Sequence, residues 1–351
     1  MQRSTPYLAV DIDVLERNLS AMASTAAGCG AVLRPHAKAH KCVEIARRQL
    51  AHGAAGLTVA TVSEAEVFAA AGCGDLFIAY PVWASPARAD RLRDLAGRAA
   101  LRVGVDSAEA AALLAAAVPG LEVLVEIDCG HHRSGVLPAG AAGVAAAATR
   151  AGLRVAGVFT FPGHGYGPGR REPAAADEAA ALHEAAAGLT AAGFDATVRS
   201  GGSTPTAPVT APGALTELRP GVYALGDAQQ VELGTCAWAG VALTATSTVV
   251  SSSGRRVILD AGSKVLGADQ PPWVTGAGRL PDHPDARLTA LSEHHATAVF
   301  ADDAAVPPLG ARVRVAPNHV CAAVNLADEL VVLTGGRETD RWPVAARGAN
   351  T

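Results

Sequence analysis

No C-x-x-C pair occurs among the six cysteines of this 351-residue chain (Cys29, Cys42, Cys73, Cys129, Cys236 and Cys321). Their scatter argues against a disulfide framework and suits a reducing compartment. Aromatic residues make up only 4% of the chain, and it has neither a basic stripe with interleaved aromatics nor an acidic tail. Nucleic acid is therefore not an expected partner, whereas a small-molecule substrate is. No apolar run reaches membrane-spanning length, and the opening "MQRSTPYLAVDIDVLERN" meets acidic residues before any apolar core long enough for a signal peptide. These features predict a cytoplasmic protein with no membrane association. No G-x-G-x-x-G follows the first strand, which counts against an open doubly wound sheet.

What is present is a chain that is half hydrophobic, with a net charge of -4 and length enough for two cores. Eight short apolar runs precede about residue 226: "AVLRPHAK", "LTVAT", "LFIAY", "LRVGVD", "LEVLVEID", "VAGVFTF", "ATVRSGG" and "TELRPGVYALG". Ala-rich helical segments separate most of them, with Ser63 and Ser107 as N-caps and glycines closing the helices. Eight alternations predict an α/β fold, a (β/α)8 TIM-type barrel over 12–233. Chemistry is then expected where strands end, and Lys38, Arg133, His164, Ser203 and Tyr223 fall there. After about residue 235, "VALTATSTVVSSSGRRVILDAG" reads as two strands joined by a Ser-Gly turn, and "ARVRVAPNHVCAAVNLADELVVL" as further strands. A mainly β domain over 234–351 is predicted, with residues 1–11 joining it.

Three stretches carry chemistry. "RPHAKAHK" gathers Arg34, His36, Lys38, His40 and Lys41. Alternation in an extended chain would put residues 36, 38 and 40 on one side, with Lys38 between two imidazoles and able to form a Schiff base. Alone, such a stretch is ordinarily a solvated basic loop. "VRSGGSTPT" offers Gly201 and Gly202 for close backbone approach and Ser203 and Thr204 as donors, and "ELRPGVYALGD" adds a second glycine turn. Nests of this kind after the seventh and eighth strands suit a phosphate monoester. "PNHVCAAVN" places His319 and Cys321 two apart; in a strand they would share one face and could share a zinc ion with positions left open.

Together "RPHAKAHK", "EIDCGHHRSGV", "FPGHGY", "SGGSTPT", "ELRPGVYALGD", "LDAGSK" and "PNHVCAAVN" resemble, in this order, the D-serine dehydratase and D-threonine aldolase-like family of pyridoxal-phosphate enzymes. That family has the alanine racemase fold (fold type III), a barrel plus a β domain. The resemblance implies pyridoxal 5'-phosphate and a metal, Zn2+ or else Mn2+ or Mg2+, as cofactors. It implies that Lys38 is the Schiff-base lysine with His36 beside it, and that Arg133 faces the ring. Gly202, Ser203, Thr204, Gly221 and Tyr223 would surround the phosphate, His164 and Tyr166 would lie beside the substrate, and His319 with Cys321 would hold the metal. A homodimer with shared active sites is implied as well.

H-x-C resembles the dehydratase branch and H-x-D the aldolase branch. The implied reaction is β-elimination from a D-3-hydroxy amino acid to a 2-oxo acid and ammonia, the alternative being retro-aldol cleavage to glycine and an aldehyde. Racemisation and non-catalytic cofactor binding rank below both. One segment departs from the pattern: Glu293-His294-His295-Ala296 stands where the family usually has Glu-Glu-His-Gly.

Overall fold

The computed structural model describes residues 3–351. Contacts divide the chain into two units. One comprises residues 21–38, 45–221 and 349–351, the other residues up to 20, 39–44 and 222–348.

The opening strand β1 (Tyr7–Asp11) belongs to the second unit. In the first unit every predicted run forms a strand: β2 (Val32–Leu33), β3 (Leu57–Val59), β4 (Asp75–Pro81), β5 (Ala100–Val105), β6 (Glu122–Glu126), β7 (Arg154–Phe159), β8 (Val198–Gly201) and β9 (Glu217–Leu218). All adjacent pairs are parallel, in the order β2-β9-β8-β7-β6-β5-β4-β3. A single parallel bridge between His36 and Thr58 joins the two ends of that order, so the sheet runs round into a TIM-like barrel. Such strands are buried on both faces and read as continuous apolar runs, which is why they are visible in the sequence.

Inside the ring Phe77, Leu124, Ala156 and Phe159 pack together, with the Phe77 and Phe159 rings edge to face at 5.1 Å. A charged cluster accompanies these apolar side chains. Arg34 donates from Nε to Glu217 at 2.6 Å and from Nη1 to Asp75 at 2.6 Å, while Ser200 Oγ donates to Glu217 at 2.6 Å. Arg102 adds a longer contact to Glu217, 3.4 Å.

The helix after β3 starts differently from expectation. Thr61, not Ser63, is its N-cap, accepting the Glu64 amide at 3.0 Å. Ser107 caps Ala108–Ala117 as predicted. Gly157, in mid-strand, has φ +146°, and a Cβ there would overlap the Val198 carbonyl of the neighbouring strand. Gly157→Ala is expected to destabilise the barrel by about 3 kcal/mol or more, because backbone strain and steric overlap add. Urea unfolding at constant m-value checks this; a change below about 0.5 kcal/mol would contradict it.

The second unit holds β10 (Leu243–Ser253), β11 (Arg256–Leu259), β12 (Arg287–Leu291), β13 (Ala296–Val299), β14 (Arg312–Val315), β15 (Glu329–Thr334) and β16 (Arg337–Pro343). Its sheet runs β12-β13-β11-β10-β1-β15-β16, with β14 also on β10. β1 pairs antiparallel with β10 and parallel with β15, so the opening strand joins the β-rich unit as anticipated. The expected Ser-Gly turn is the β10–β11 hairpin, with Gly254 at φ +58°. One expectation fails here. The H-x-C motif is not in a strand: His319 is the N-cap residue of the helix Val320–Leu326, because Ala322 and Ala323 continue the apolar run at helical spacing. No helix among the described residues is long and apolar enough to cross a membrane.

Candidate active site

The C-terminal strand ends of the barrel unit surround a cavity of about 490 Å³, within the range of small-ligand sites. Its walls include His36, Lys38, Asp106, Arg133, Phe161 and Arg219. Lys38 Nζ lies 5.5 Å from the Phe161 ring centroid and the Arg133 guanidinium 5.2 Å from it, so two cations approach one aromatic ring. Arg219 rests over Phe77 and Phe159 at 5.5 and 5.4 Å and donates to the Thr160 carbonyl. Its Nε is buried with no acceptor, a donor that a ligand would satisfy. Burial lowers the Arg219 pKa, partly offset by Glu217, Glu178 and Glu126. Ser134, also on the cavity wall, donates from Oγ to the buried Glu126 at 2.9 Å. Burial raises the Glu126 pKa against the pull of Ser134 and Arg133.

The basic cluster is split rather than gathered. β2 stops at Leu33 and the chain turns through a 3-10 helix at Ala37–Ala39, so the extended alternation expected for residues 36, 38 and 40 does not arise. His36 and Lys38 line the cavity, whereas Arg34 is consumed by Glu217 and Asp75. His40 and Lys41 fall in the β-rich unit, where His40 Nδ1 accepts the Cys42 amide at 3.1 Å. The chain contains three lysines, Lys38, Lys41 and Lys264, and of these only Lys38 borders the cavity.

His164 and Tyr166 are not among the residues lining the cavity, though they adjoin Asp177 and Phe161 respectively. The Tyr166 ring lies 6.1 Å from Phe161, and His164 Nε2 is 3.2 Å from Asp177 Oδ2. His131 packs edge-on to Phe161 at 5.5 Å; burial, Arg133 and His164 lower its pKa. In the glycine-rich loop after β8, Gly202 (φ +83°) donates its amide to Glu178 Oε1 at 2.7 Å. Ser203 donates its amide to Thr206 Oγ1 at 2.9 Å, and both Ser203 and Thr204 are buried. Gly221 ends the barrel unit, and Tyr223 belongs to the β-rich one.

In the β-rich unit His319 Nδ1 is 2.6 Å from Asp269 Oδ2. Burial disfavours the imidazolium, but Cys321, Asp227 and Asp269 outweigh it, and the His319 pKa is raised to about 10. Asp227 also accepts the amides of Gln230 and Val320. Glu293, from the departing segment, pairs with Lys264 at 2.8 Å. Among the described residues no group of three or more His, Cys, Asp or Glu side chains could hold a metal ion.

The profile of the alanine racemase N-terminal domain matches residues 10–229, and that of the serine dehydratase domain matches 242–333. D-threonine aldolase of Arthrobacter sp is 37% identical over 98% of this chain and 93% of its own length. The chain belongs to the D-threonine aldolase and D-serine dehydratase family, on the alanine racemase fold. Other family members agree over nearly the whole length. D-threo-3-hydroxyaspartate dehydratase of Delftia sp. is 36% identical over 91% of both chains. The crystal structure of D-threonine aldolase from Filomicrobium marinum superposes with a TM-score of 0.89 at 33% identity, covering 99% of this chain and 97% of its own.

Within this family framework, sequence reasoning passed over Phe161, Asp106, Arg219, Asp269 and Glu178. Asp106 and Arg219 could have been marked, since each is a charged residue at the end of an apolar run. Asp269 and Glu178 carry no local signal: their partners lie 50 and 24 residues away.

Proposed function

We propose that this chain is a pyridoxal-phosphate- and metal-dependent lyase of D-3-hydroxy amino acids, working by β-elimination to a 2-oxo acid and ammonia. The observation that carries the reading is a cavity at the strand ends bordered by one lysine of three, with Arg133 and Arg219 beside it. Its residues fit the cofactor: an amine for the aldehyde, cations for its anionic groups, and a buried guanidinium donor still lacking an acceptor. His319 and Cys321 fit a borderline-soft divalent ion such as zinc, with Asp269 as the carboxylate that orients the imidazole. A cysteine-to-alanine variant of a D-threo-3-hydroxyaspartate dehydratase has been solved in a metal-free form, which supports a metal in this family.

When bound, the cofactor supplies an electron sink for charge at Cα and the metal a Lewis acid for the β-hydroxyl. Lys38 then takes the α-proton on Nζ, with Phe161 keeping water from that side. Arg133 and Arg219 hold anionic groups by charge. With its ring oriented by Asp177, His164 is the group able to take a hydroxyl proton in the retro-aldol alternative, which the aldolase relatives favour. His36, Gly202, Ser203, Thr204, Gly221 and Tyr223 are assigned to the cofactor and Tyr166 to the substrate. A cytoplasmic homodimer with shared active sites belongs to the same reading.

Purified protein loaded with pyridoxal phosphate and zinc is to be given D-serine, D-threonine and D-threo-3-hydroxyaspartate, with 2-oxo acid and glycine followed together. Keto acid with ammonia, lost on chelation and regained with zinc, is the expected result. Glycine with an aldehyde would move the assignment to the aldolase, and neither product from any substrate would refute it.

A further inference from the structure

Glu178 lies on the long helix Arg171–Ala191, fully enclosed, and the reaction above gives it no part. Its Oε1 accepts the Gly202 amide at 2.7 Å. The carboxylate comes this close because Gly201 has no side chain: a Cβ there would overlap it. Arg219, a wall of the cavity, is the cation facing Glu178. The Cys129 thiol is the other titratable neighbour; burial first, and the Glu178 charge in part, raise it to about 12.

The Gly202 amide is thus already taken, and by a negative charge. A phosphate held by this loop would bring a dianion to a backbone segment that a carboxylate already engages, in a place with little water to separate the charges. A protonated acid removes the conflict and still accepts the Gly202 amide through its carbonyl oxygen.

We propose that Glu178 is the positioning residue of the phosphate loop and that it takes up a proton when a phosphate monoester is seated on Gly202–Thr204. Burial, only partly offset by the Gly202 amide and Arg219, already raises its pKa to about 7. The inference rests on the cofactor reading above.

The test compares pyridoxal phosphate with pyridoxal, which lacks the phosphate, on the full-length cofactor-free chain. Dissociation constants are measured by absorbance over about pH 6–9. In the wild type the advantage of the phosphate is expected to shrink roughly tenfold per pH unit above neutrality; in Glu178→Gln it stays constant. Parallel profiles for the two proteins would overturn the proposal.

A second measurement needs no variant. Loading the wild type in weak buffer at about pH 7.5 with pyridoxal phosphate should take up a measurable fraction of a proton more than loading with pyridoxal. Equal proton counts with both ligands bound would remove Glu178 from this role and leave the cofactor reading intact. Failure of both ligands to bind would overturn the cofactor reading, and this inference with it.

Discussion

Lys38→Ala is expected to abolish the absorbance band of bound pyridoxal phosphate and to lower turnover by on the order of 10⁴-fold. On the proposed reading the substitution removes both the amine that would anchor the cofactor and the base for the α-proton. Only three lysines compete for the label, which makes the test sharp. Borohydride reduction of the loaded protein followed by peptide mass spectrometry should place the cofactor on Lys38. Label on Lys41, or on Lys264, whose amine is held by Glu293, would sink the assignment. Arg133 and Phe161 remain in the variant, so added primary amines should restore part of the activity if the loss is chemical rather than structural.

The second large effect concerns stability. Glu217→Ala should cost about 3–5 kcal/mol, because it strands the buried Arg34 guanidinium beside Arg102 with only the half-exposed Asp75 to balance it. Urea unfolding at neutral pH reads this directly, and a loss under about 1 kcal/mol would show that Asp75 suffices. The pH dependence has a defined sign. Burial pushes the Glu217 carboxyl up, but Arg34, Ser200 and Arg102 overcome it and hold it below its ordinary value. Its contribution is therefore complete above the ordinary carboxylate range and lost as pH falls through the depressed value in the folded state. Glu178 works in the opposite sense. With its pKa raised to about 7, the cost of its buried charge is relieved as pH falls through neutrality. Without ligand, Glu178 favours the acid side of neutrality, and Glu217→Ala should make the acid limb of the stability curve shallower.

How much of this could be read from residues alone differs by scale. The eight barrel strands were legible because interior parallel strands are apolar on both faces; of the residues expected at their ends, Lys38 and Arg133 line the cavity, whereas Ser203 is not among its lining residues. Register within the lysine loop was not. Pro35 and the turn at Ala37–Ala39 break the alternation that would have grouped His36 with His40. The run around Cys321 reads as a strand because a short apolar run has no period long enough to separate strand from helix. Thr61 displaced Ser63 as a cap since both have the right chemistry and only the backbone decides. The buried acids were invisible, because an isolated Glu in an Ala-rich helix looks solvent-facing until tertiary packing encloses it.

The single bridge between His36 and Thr58 has a consequence for how the site is assembled. β2 and its neighbour β9 have two residues each, and main-chain bonds such as Thr58 to Pro35 at 2.9 Å and Ala55 to Leu33 at 2.8 Å hold the join. Lys38 is two residues beyond this clasp. A ligand that seizes the lysine also fastens the ring, so part of its binding free energy is stored as barrel closure. Loading should slow amide exchange at Thr58 and His36 more than at the middle of β6, on the far side of the barrel.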